Sequence, residues 1–233
     1  MKERPIIFTP DLAAKVHNGT KTVTRRIVKP KWSGWSPDLS TWTMERATAF
    51  DSQYLKVPYD DGTRQRVFCP YGDPTDQLWV RERWWLADMD FSQPPTAYLI
   101  CWSNASGKPG NDFEAGDVGW RNPPERDRLE WAERYGALEG EGKRATRKRN
   151  YWLGANPPIF MPRWACRTVL EIVSVRAERL QEITAEDVGR EGVEYAANDP
   201  VGNFSSLWER IHGKGAWDTN PWVWRIEFRR ANP

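Results

Sequence analysis

Residues 6–28 read IIFTPDLAAKVHNGTKTVTRRIV, and their pattern sets the fold class. Ile6, Ile7 and Phe8 form a short apolar run of strand type. Thr9, Pro10 and Asp11 follow as a helix start. They supply a hydroxyl to cap the first turn, a proline where the missing N–H costs nothing, and an acid at the positive end of the helix dipole. Leu12, Ala13 and Val16 make one apolar face, and Gly19 is placed to end the helix in the left-handed conformation. Residues 22–28 are rich in β-branched side chains and read as a second strand.

The same reading extends outward. Residues 77–83 form a strand in which Leu78, Val80 and Glu82 share one face and Trp79, Arg81 and Arg83 the other. A long β-rich segment covers 165–177. Thr184, Ala185, Glu186 and Asp187 match a capping box in its acidic form, with Ile183 and Val188 placed as a hydrophobic staple and Gly192 as the stop. Phe204, Leu207, Trp208 and Ile211 form a helical stripe ended by Gly213. Trp222, Trp224, Ile226 and Phe228 line one face of a closing, half-buried strand.

Two stretches interrupt this order. Residues 29–68 carry Trp32, Trp35 and Trp42 among turn residues, with a hairpin expected near 53–58 and 64–68. Residues 86–158 carry a Pro/Gly/Asn-rich loop at 103–124, a charged helix near 125–136, and a basic run at 143–149 beside Tyr151 and Trp152. That run reads either as a solvated loop or as a phosphate-contacting patch. The whole is one α+β domain over 1–233. Short strands with one-sided burial favour a small mixed β-barrel with flanking helices and two large irregular insertions over an open doubly wound sheet.

Composition narrows the classes. The chain has 233 residues and a formal net charge of +2, so it is no global trap for polyanions. It lacks an apolar run long enough for a membrane helix, and its first residues are too short in apolar character for a signal peptide. Three widely spaced cysteines, Cys69, Cys101 and Cys166, fit a reducing cytoplasm better than a disulfide framework. With two histidines and no CxxC pair, no metal is expected. The absence of GxGxxG and GKS/T phosphate loops argues against nucleotide-triphosphate chemistry, and no cofactor is expected. The outlying number is tryptophan, with 15 copies.

The run Gly19-Thr20-Lys21-Thr22-Val23-Thr24-Arg25-Arg26, the strand Leu78-Trp79-Val80-Arg81-Glu82, Glu191-Gly192 closing a short helix, and the ending 220–228 together resemble the ASCH domain family, in the large form carried by bacteriophages and prophages. The resemblance covers 5–28, 76–84, 163–193 and 204–228, about two-fifths of the chain. It implies a PUA-like barrel whose cleft holds a nucleobase or RNA, in the host bacterial cytoplasm. It implies N4-acetylcytidine amidohydrolase or ribonuclease activity, or plain binding of RNA, single-stranded nucleic acid or a modified nucleoside. In the amidohydrolase branch a lysine, a threonine three residues on and a glutamate do the work. By position these are Lys21, Thr24 and Glu191, with Glu186 and Glu194 as competitors for the third place.

The chemistry is consistent with that assignment. A threonine hydroxyl needs a base, and a lysine amine serves as one when burial or nearby cations lower its pKa. Arg25 and Arg26 are such cations. The glutamate either protonates the departing amine or holds the lysine in place. A straight strand puts Lys21 and Thr24 on opposite faces, so the scheme needs Lys21 in the turn after Gly19. The plainer reading makes Lys21 a solvated residue near a helix C-terminus and Thr24 an ordinary strand threonine.

Arg25, Arg26, Trp79, Arg81, Glu82 and Trp84 are the expected contacts to base and phosphate. Glu82 is either a cleft residue or half of a buried pair with a cation such as Arg26. The alternative function is a non-catalytic phage accessory protein that binds a host protein through its Trp/Arg-rich insertions.

Among the tryptophans, Trp208, Trp222 and Trp224 are expected in the core, and those of the insertions are expected to pin irregular chain. Trp152, Trp164 and Trp217 have no assignment from pattern.

Overall fold

The computed structural model describes residues 1–29, 34–46, 53–86, 98–102, 118–121, 124, 156–194 and 199–231. The helix expected near 125–136, the basic run at 143–149, and Tyr151, Trp152 and Trp32 lie outside these residues. The chain divides into two compact units, one of Met1–Arg4, Lys15–Leu78 and Val169–Pro233, the other of Pro5–Ala14 and Trp79–Thr168.

The opening pattern folds as read. Strand β1 (Glu3–Ile7) leads into helix α1 (Pro10–His17), and strand β2 (Val23–Ile27) follows. Gly19 ends the helix at φ +83°. The insertion at 29–68 carries β3 (Thr43–Arg46), β4 (Gln53–Pro58) and β5 (Arg64–Phe68), an antiparallel sheet whose β4–β5 hairpin lies where expected. Then come β6 (Gln77–Arg81), β7 (Trp84–Leu86), β8 (Tyr98–Trp102) and β9 (Val118–Arg121). The chain returns through β10 (Val169–Arg179), helix α2 (Ala185–Arg190), helix α3 (Pro200–His212) and β11 (Trp222–Arg230).

The architecture is mixed α+β and mostly sheet. The main sheet runs β1-β6-β10-β11-β2, with the unit boundary falling inside β1 and β6. A closed barrel is not found: among the described residues no pairing joins β2 to β1.

In the first unit, β10 and β11 pair antiparallel, and their register shifts between Ile172 and Ser174. Val173 is the extra residue of a β-bulge. Because strand side chains alternate, one inserted residue swaps the faces of everything beyond it. Leu170 and Ile172 are buried before the bulge, Val175 and Ala177 after it. The bulge thereby delivers Arg176 to a position opposite Arg225, and Glu178 opposite Val223.

Strand β11 departs from the half-buried expectation. Trp224, Ile226 and Phe228 are buried on one face, but Val223 and Arg225 are equally buried on the other. Val223 packs with Leu180, Ile183, Val188, Phe204 and Trp208, so α2 and α3 cover that face. Burial of such side chains stabilises by roughly 1.5–3 kcal/mol each before entropy is counted. Ile183 and Val188 meet in this cluster, as the staple requires. Trp217, unplaced by pattern, stacks edge-on against Phe204 at 6.2 Å.

Of the insertion tryptophans, Trp42 pins irregular chain, whereas Trp102 and Trp120 lie in strands β8 and β9, and Trp131, like Trp32, lies outside the described residues. Trp42 is buried, donates through Nε1 to the Ser36 carbonyl at 3.1 Å, and meets Trp35 edge-on at 5.3 Å.

The second unit holds the β7-β8-β9 sheet. Trp84 and Trp102 are fully buried there; Trp102 donates to the Ala165 carbonyl at 2.8 Å, and Trp164 packs edge-on against Trp84. No described helix is long and apolar enough to cross a membrane.

Candidate functional site: a buried charge network around Lys21

The first unit buries charged side chains between the β10–β11–β2 face and helix α2. Register places Arg25 opposite Arg225, and Arg225 opposite Arg176. Three cations in a row across a sheet repel one another unless carboxylates meet them. Asp187 and Glu191, from α2 and its C-terminus, do so from above, and Glu178 does so from β10.

Lys21 lies in the turn before β2 and is 2% exposed. Its Nζ donates to the Glu191 backbone carbonyl at 2.9 Å and to the Glu191 carboxylate. Arg25 donates from its NH1 group to Glu191 Oε1 at 3.1 Å, from Nε to Glu178 Oε1 at 2.7 Å, and from its NH2 group to Asp187. Arg225 grips Asp187 with two bonds of 2.8 and 3.2 Å and reaches Glu227 at 3.2 Å. Arg176 donates to Glu178 at 2.7 Å, and Arg190 pairs with Glu227.

Thr184 caps α2 by accepting from the Asp187 N–H at 3.2 Å. The return half of the expected capping box is not what the Asp187 carboxylate makes, since it turns inward to the two arginines. A charge-assisted pair with buried guanidinium is the stronger bond and wins over a bond to a backbone N–H.

Electrostatics follow from these contacts. Burial lowers the Lys21 pKa, with Glu191 opposing and Arg26 and Arg25 adding to the fall. Burial would raise the Asp187 pKa, but Arg225 and Arg25 hold it down at about 2. For Glu227 too, burial pushes upward while Arg190 and Arg225 lower the pKa. Burial lowers the Arg26 pKa, against the charges of Tyr71 and Glu191.

Of the expected reactive residues, the structure brings Lys21 and Glu191 into contact across 170 positions. Glu194 pairs instead with Lys15 at 3.2 Å. Thr24 is buried opposite Ile226, on the face of β2 away from Arg25. Arg26 shares that second face, opposite Trp224.

The remaining expected contacts, Trp79, Arg81, Glu82 and Trp84, belong to the second unit from residue 79 onward. Arg81 stacks on the Trp79 ring at 4.5 Å. Glu82 is the buried half of a bidentate pair, at 2.9 and 2.8 Å, and its partner is Arg167 rather than the Arg26 considered from sequence. Cys166 donates to the Thr168 carbonyl, and burial first of all pushes its pKa up to about 11, the state of an unreactive thiol.

Sequence reasoning missed Glu178, Asp187 and Arg225 as members of the network. A signal was present: Arg176-x-Glu178 and Arg225-x-Glu227 repeat the same charge order at strand spacing inside two strands. Comparison with protein-family models, curated proteins and solved structures finds no match for the chain.

Proposed function

We propose that the chain is an ASCH-like protein of PUA-like type that acts on a nucleobase, with Lys21 and Glu191 forming the centre of a hydrolase that removes an acyl group from the exocyclic nitrogen of a modified nucleoside such as N4-acetylcytidine. The observation supporting this reading is the contact between Lys21 and Glu191. Burial lowers the pKa of that amine, so its ammonium form releases a proton more readily than an ordinary lysine. Of the two roles open to Glu191, the geometry favours holding the lysine, because its carboxylate also accepts from Arg25.

In this scheme water adds to the acyl carbon, Lys21 gives its proton to the departing exocyclic nitrogen as the C–N bond breaks, and the proton released by water restores Lys21. Thr24 lies on the face of β2 away from Arg25, so this scheme takes water as the nucleophile.

Acetate release from N4-acetylcytidine tests the reading. Lys21→Ala is expected to lower it by at least about 100-fold, and Thr24→Val to leave it within a few-fold. Full activity in Lys21→Ala, or none in the unaltered chain, overturns it.

The 2% exposure of Lys21 favours a second reading, in which the network is structural and the chain binds nucleic acid or a host protein without catalysis. Acetate release by the unaltered chain that is lost in Lys21→Ala decides against that reading.

A further inference from the structure

The β3-β4-β5 sheet buries the centre of its inner face, where Met44 and Gln65 stay exposed at the margins, and on the outer face Tyr54 is buried while Phe68, Arg64 and Arg66 are exposed. Leu55, Val57 and Val67 are buried on the inner side. Register then sets Tyr54 beside Phe68 and Glu45, Lys56 beside Arg66, and Pro58 beside Arg64 on the outer side. Phe68 is 50% exposed, and Arg64 and Arg66 are exposed.

The rings of Tyr54 and Phe68 lie 5.4 Å apart, tilted by 44°, and Arg66 rests over the Tyr54 ring at 5.1 Å. Lys56 pairs with Glu45 at 2.6 Å, and Tyr54 donates to the same carboxylate at 2.8 Å. Among the described residues no salt bridge joins Arg64 or Arg66 to an acid. At the hairpin tip Asp61 accepts from Thr63 within the turn.

Two features of this face are costly for a sheet that serves only as scaffold. Lys56 and Arg66 are direct cross-strand neighbours of like charge, and the single carboxylate of Glu45, which pairs with Lys56, offsets only part of the repulsion. Arg64 follows two residues along β5, about 7 Å away, and extends the cationic row. Beside the row sits a half-exposed phenyl ring backed by a second ring. An anionic chain with flat, apolar faces relieves both costs at once: its phosphates neutralise the row, and its bases cover the ring. A duplex keeps its bases stacked inside and offers nothing to Phe68.

We infer that the outer face of β3-β4-β5 binds single-stranded nucleic acid, with Arg64 and Arg66 on the phosphates and a base stacked on Phe68. The surface is distinct from Lys21 and does not depend on hydrolysis. Fluorescence anisotropy of the full chain with labelled oligo-uridylate, oligo-thymidylate and a duplex of equal length tests it, the first two probes separating RNA from DNA.

Binding of a single strand is expected to weaken with salt and to exceed that of the duplex. Phe68→Ala is expected to weaken it about tenfold. Arg64→Gln with Arg66→Gln is expected to lower the salt slope by roughly 1.4. All three side chains are exposed, so melting temperatures should hold. Absence of single-strand binding, equal binding of duplex, or binding unchanged in both the Phe68 and the arginine variants overturns the inference.

Discussion

Arg25 and Asp187 stand 162 residues apart in the chain, yet the guanidinium of one rests on the carboxylate of the other inside the first unit. Asp187 also takes two bonds from Arg225. One carboxylate therefore ties α2 to both β2 and β11.

Removal of that carboxylate leaves two buried guanidinium groups without their shared partner. Asp187→Asn is expected to destabilise by about 3–5 kcal/mol, measured by urea denaturation. Glu171→Gln breaks the exposed pair with Arg229 at 2.8 Å and is expected to change stability by less than about 1 kcal/mol. Similar effects of the two substitutions would contradict a network held together by buried charge.

Acid should weaken the fold through the same residue. The folded pKa of Asp187 is lowered to about 2, against an unfolded value of roughly 3.9. A depressed carboxylate stabilises above its unfolded pKa and loses that contribution as pH falls through the folded one. Stability should therefore drop between about pH 4 and pH 2, and Asp187→Asn should flatten part of that slope. Glu227, shifted the same way by Arg190 and Arg225, should supply a remainder that persists in the variant.

Gly192 follows Glu191 at φ +76°, and a Cβ there would sit 3.1 Å from Lys21 Cβ and 3.3 Å from Lys15 Cδ. Gly192→Ala combines left-handed strain with crowding of a carbon close to the Lys21 backbone. It should destabilise by about 1 kcal/mol or more and disturb the Lys21–Glu191 contact. A crystal structure of the variant with Lys21 Nζ still on the Glu191 carbonyl would count against that coupling.

Deletion of Val173 removes the bulge and moves one side of β10 by one residue. Either Arg176 and Glu178 turn to the face of Trp224 and Ile226, or Leu170 and Ile172 leave the core. The deletion should abolish cooperative thermal unfolding followed by circular dichroism. Val173→Ala, at a 44% exposed position, should leave it intact.

Local signals located most elements: the Thr9-Pro10 start of α1, the Gly19 stop, the β4–β5 hairpin and the Phe204–Trp208 stripe all lie where the residues place them. Lys21 and Glu191 were legible as a pair only through a family resemblance, since no spacing rule links positions 170 apart.

By itself the sequence determined short-range matters, because caps, left-handed glycines and side-chain alternation act over a few residues. Tertiary structure decided which charges meet. The bulge at Val173 chose the face of Arg176 and Glu178. The packing of α2 over β11 then took Asp187 from its capping role and gave it to Arg25 and Arg225. Once water is excluded, a buried charge must find its opposite wherever the fold brings one near, whatever the distance along the chain.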